Sequence, residues 1–81
     1  MLARLNAYSK GTSRDGMQTW HFDIDVRDSG TPLFVETISL EAVTLIADAN
    51  KQGPLYQLCR AIRDAEEGRY EALVGTEFGV E

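Results

Sequence analysis

Gln18-Thr19-Trp20-His21-Phe22-Asp23-Ile24-Asp25-Val26-Arg27-Asp28 is the stretch on which the fold turns, because apolar and polar residues alternate through it. Successive side chains of a strand project to opposite faces. Trp20, Phe22, Ile24 and Val26 therefore form one row, and His21, Asp23, Asp25 and Arg27 the other. The pattern predicts a strand with one face on a core and one face in water.

Upstream, Met1 to Ser9 also alternates, with Ala3, Leu5 and Ala7 on one side and Arg4, Asn6 and Tyr8 on the other, which predicts a first strand. Gly11 to Gly16 joins the two, and its Asp15-Gly16 ending is a strong turn signal. Downstream, Asp28-Ser29-Gly30-Thr31-Pro32 reads as a second turn. Leu33 to Ile38 has the β-branched and aromatic content of a third strand. A three-strand antiparallel meander is the simplest arrangement.

Ser39 is placed to cap a helix over Leu40 to Lys51, with Glu41 in the first turn where the helix dipole favours an acid. Leu40, Val43, Ile46 and Ala47 are its expected buried stripe. Gly53-Pro54 separates it from a second helix over Pro54 to Glu67, whose inner stripe is Leu55, Leu58, Cys59, Ile62 and Ala65. The pairs Arg60–Asp64 and Arg63–Glu67 fall at i,i+4 on the outer side. Gly68 is expected to end this helix, Tyr70 to Val74 to form a fourth strand, and residues 75–81 a loose C-terminal tail. The fold class is α+β: a three- or four-stranded antiparallel sheet, β-β-β-α-α-β, with two helices packed on one face.

Eighty-one residues suffice for one core and one domain. The single cysteine, Cys59, cannot close an internal disulfide, which points to a reducing, cytoplasmic setting. No signal core and no apolar run of membrane-spanning length is visible, so no membrane association is expected. Eight basic residues against 13 acidic ones give a net charge of −5, which repels phosphate backbones and favours a protein partner with a basic surface over direct nucleic-acid binding.

No spacing fits a nucleotide loop, a zinc site or another cofactor. Cys59 lies on an inner helical stripe and reads as a small buried hydrophobe. His21, Asp23 and Asp25 share a face and offer an imidazole–carboxylate set, but same-face neighbours along a strand stand about 7 Å apart, too far to share one metal without a second strand. The same row also reads as an acidic surface, joined by Asp15, Asp28 and Glu36, that would attract a basic nucleic-acid channel on another protein. Tyr8 and Tyr70 are candidate interface anchors. Exposed Phe78 and Val80 would offer an apolar handle for a homodimer.

In size, acidity and α+β class the chain resembles compact phage-encoded inhibitors of the anti-CRISPR type. Many of these are acidic α+β domains that block a nucleic-acid-binding surface of their target. The resemblance rests on these class-level features and assigns no residue a role. It implies a small protein-binding, non-enzymatic module, in the host cytoplasm if the chain is phage-encoded; the contact residues expected from the strand pattern and charge are His21, Asp23, Asp25, Asp28, Glu36 and Tyr8. The competing expectations are a small enzyme or metal-binding protein using the His21 row, and a structural, assembly or antitoxin-like subunit.

Overall fold

The structure, a computed structural model, describes residues 1–66 and 69–80. Its elements are β1 (Leu2–Thr12), β2 (Gln18–Asp28), β3 (Thr31–Ser39), α1 (Leu40–Asp48), α2 (Pro54–Asp64), a short 3₁₀ helix (Tyr70–Leu73) and β4 (Glu77–Gly79). The sheet is antiparallel in the order β3-β2-β1-β4, and the helices cover one of its faces. This is the α+β class that the alternation around Phe22 predicts.

Local chemistry sets the joints. Between β2 and β3 only Ser29 and Gly30 lie outside the pairing, both with positive φ, as a tight hairpin turn requires. The Ser39 hydroxyl accepts from the Ala42 N–H and caps α1. α1 ends at Asp48 rather than Lys51, because Asn50 adopts a left-handed conformation that a helix cannot continue through. α2 starts on Pro54 as expected and ends at Asp64, where Ala65 turns extended. Glu67 and Gly68, and with them the Arg63–Glu67 pair and the glycine stop, lie outside the described residues.

The core row of β2 (Phe22, Ile24, Val26) meets Val43 and Ala47 of α1 and Leu58, Cys59 and Ile62 of α2. Burying each large aliphatic or aromatic side chain here contributes about 1.5–3 kcal/mol. Arg63 of α2 ties the helices together through Asp48 of α1 at 2.7 Å and also contacts its neighbour Asp64 at 3.1 Å. The expected Arg60–Asp64 pair is replaced, since Arg60 donates to the Lys51 carbonyl instead.

Three expectations are corrected. The alternation of β1 breaks at a bulge: Leu5 pairs with Ile24, Ala7 pairs with Asp23, and Asn6 is the extra residue. Beyond it the faces exchange, so Ala7 is exposed and Tyr8 turns to the core. Tyr70 to Val74 is no strand: Tyr70 buries its ring edge-on to Phe22 at 4.9 Å and to Trp20 at 5.1 Å, and the backbone coils in a 3₁₀ turn to deliver it. Val74 keeps a single parallel bridge to Leu5. The fourth strand lies instead at Glu77–Gly79, within the expected tail, where Phe78 packs against the core and is no free handle. Gly79 is required there, because at φ +101° a Cβ would collide with the Met1 carbonyl and the Pro54 ring.

Candidate functional site

With both helices on one side, the outer residues of the sheet form an uncovered face. Across the strands its rows are Ser9–His21–Ser39, Ala7–Asp23–Thr37 and Glu77–Arg4–Asp25–Val35, since directly paired residues project to the same side. His21, Asp23 and Asp25 therefore share this face, as their spacing predicts. They do not converge on one point as a metal-ligand set. Among the described residues no three His, Cys, Asp or Glu side chains come close enough to hold a metal ion.

Each acid has its own surroundings. Asp23 is half-buried and accepts a hydrogen bond from the Thr37 hydroxyl of β3. Asp25 is only 3% exposed, although no helix covers it. Its Oδ2 accepts from Arg27 Nε at 2.9 Å and lies 3.7 Å from Arg4 Nη2, so the stems of two arginines form its cover. Asp28 stands at the hairpin end, 3.8 Å from the N-terminal ammonium. Asp15 sits in the β1–β2 loop, where the Ser13 hydroxyl and the Met17 N–H hold its carboxyl below the usual range.

Two expected residues belong elsewhere. Glu36 pairs with Ile24, a core-row residue, so it projects to the helix side of the sheet and is exposed there only because β3 is the edge. Strand alternation alone could not assign its face without the register. Tyr8 joins the aromatic cluster, 6.0 Å from both Trp20 and Tyr70, because the bulge at Asn6 turns it inward. The acidic row is thus divided: one acid is sealed by arginines, one is bonded to threonine, and one is on the other face.

Sequence reasoning missed the apolar members. Leu33 and Val35 of β3 are 55% and 61% exposed, and Val35 lies beside Asp25 on the uncovered face. β3 has a strand neighbour on one side only. Pro32 and an irregularity in the β2–β3 register interrupt its first residues, and from Phe34 to Ser39 the pairing is regular. The signal was present in composition: residues 28–50 contain Asp28, Glu36, Glu41 and Asp48 and no Lys or Arg. It gains meaning only once strand order makes β3 an edge.

A cleft of about 190 Å³ opens on the same uncovered face, lined by Leu2, Arg4, Asp25, Arg27, Gly30 and Glu77. On the covered side, burial pushes the Cys59 thiol up to about 11, which holds it protonated and unreactive. Among the described residues no helix is long and apolar enough to cross a membrane. No family model, curated protein or solved structure matches the chain.

Proposed function

We propose that this chain is a small protein-binding module that presents the open edge of β3, with the uncovered sheet face beside it, to a partner carrying a basic surface. The observation that supports this most is the edge itself. Open edges are commonly guarded by lysine, proline or a bulge. β3 has Pro32 and an irregular register at its start, where Leu33 stands exposed, but its regular half has no cation and exposes Val35.

An extended segment of a partner would find unpaired backbone groups and two apolar side chains on a chain of net charge −5 whose residues 28–50 hold four acids and no base, with Arg27 of β2 opposite Pro32 at the start of the edge. That combination selects a basic strand and speeds its encounter. A basic nucleic-acid-binding face on a larger protein has this character. Inhibition of the anti-CRISPR kind is the form of binding that fits the charge and size of the chain.

Affinity capture from the native host lysate tests the reading with three baits: the wild type, Val35→Lys on the edge, and Leu45→Lys on the exposed side of α1. Both substitutions are on the surface and should change stability by less than about 0.5 kcal/mol. The expected result is a basic protein held at low salt by the wild type and by Leu45→Lys, and lost with Val35→Lys. Equal capture by all three baits contradicts the edge as the contact surface.

A further inference from the structure

We infer that the cleft around Asp25 receives a cationic side chain, a guanidinium or an ammonium, from a protein partner. The cleft holds carboxylate oxygens that its own arginines do not satisfy. Asp25 is 97% buried (3% exposed) and takes both arginine contacts on Oδ2, while its Oδ1 has no hydrogen-bond partner. Glu77, paired with Arg4 across β1 and β4, makes no ion pair among the described residues. Arg4 stands between the two carboxylates but serves neither closely. Its Nε donates to Asn6 Oδ1 at 2.8 Å, which leaves its Nη2 3.7 Å from Asp25.

Ionised carboxylates only accept hydrogen bonds, so an occupant must donate. A buried acceptor left without a donor is costly, and relief of that cost favours binding. An anion could pair with the arginines but has no hydrogen to give Oδ1, and a neutral donor gains nothing from Glu77. The four charged groups, Arg4, Arg27, Asp25 and Glu77, sum to zero, and the chain as a whole carries −5, so the field favours a cation. Oδ1 is itself buried, so an occupant reaches it only if a neighbouring side chain moves. Arg4, half-exposed and held to Asp25 only by the long contact, is the side chain that swings aside to admit it.

The basic partner is shared with the function proposed above, and the inference rests on that reading only for the source of the cation. The test needs no partner. The isotope-labelled full chain is titrated with N-acetyl-argininamide and, at equal ionic strength, with its neutral isostere N-acetyl-citrullinamide, following backbone amide shifts. The expected result is saturable shifts at Leu2, Arg4, Asp25, Arg27 and Glu77 with the arginine compound and none with citrulline. Glu77→Gln, an exposed change that spares the fold, should weaken binding by roughly threefold to tenfold. Equal shifts from citrulline, or an affinity unchanged in Glu77→Gln, overturn the inference. Failure of the β3 capture experiment leaves this titration unaffected, so the two readings fail separately.

Discussion

The two faces of β2 are buried to a similar depth at their centres by different means. On the covered face Phe22 and Ile24 lie under two helices within one apolar cluster. On the uncovered face Asp25 is sealed by Arg4 and Arg27, side chains of its own sheet. The first mode is non-directional and tolerates little loss of volume. The second depends on charge pairing, leaves one carboxylate oxygen unsatisfied, and ends one strand away at an apolar edge with no cover.

The largest effect should come from the covered face. Phe22→Ala removes a ring that touches Tyr70 and the helical stripe, and should cost about 3–5 kcal/mol in a denaturant titration. A much smaller loss would mean that the helices do not clamp this row. Asp25→Asn keeps the shape and removes the charge. It should cost about 1–3 kcal/mol, whereas Asp23→Asn, whose carboxamide still accepts from Thr37, should stay within about 0.5 kcal/mol. Equal effects at the two sites would erase the distinction drawn between them.

A separate effect is one of pH on the covered face. The unfolded Cys59 thiol titrates near 9.0 and the folded one near 11, so the folded state holds a proton that the unfolded chain has already released between those values. Its contribution to stability is complete below pH 9 and is lost as the pH rises toward 11. Urea midpoints for wild type and Cys59→Ser should therefore differ in their slope against pH in that window. Parallel slopes would place the thiol in water.

The covered face was legible because its residues obey one period: Phe22, Ile24 and Val26, the α1 stripe from Leu40 to Ala47 and the α2 stripe from Leu55 to Ala65 all pack where spacing puts them. The uncovered face was legible only in part. One extra residue, Asn6, exchanged the faces of β1 and carried Tyr8 inward, and nothing in an alternating polar-apolar string marks a bulge. Glu36 and the edge depended on register and strand order, which are long-range facts. Tyr70 alternated like a strand residue, yet its ring was worth more in the aromatic cluster than its backbone in a ladder. Three residues at Glu77–Gly79, too few to show a period, took the vacant place beside β1.

Amide hydrogen exchange along β3, in the free protein and in the complex recovered by capture, tests the central claim most directly. The account predicts that alternate amides between Phe34 and Ile38 exchange rapidly in the free chain, where they face no strand, and slow by roughly tenfold or more when the partner pairs with them. Protection that appears on α1 and α2 while β3 stays unchanged would contradict it.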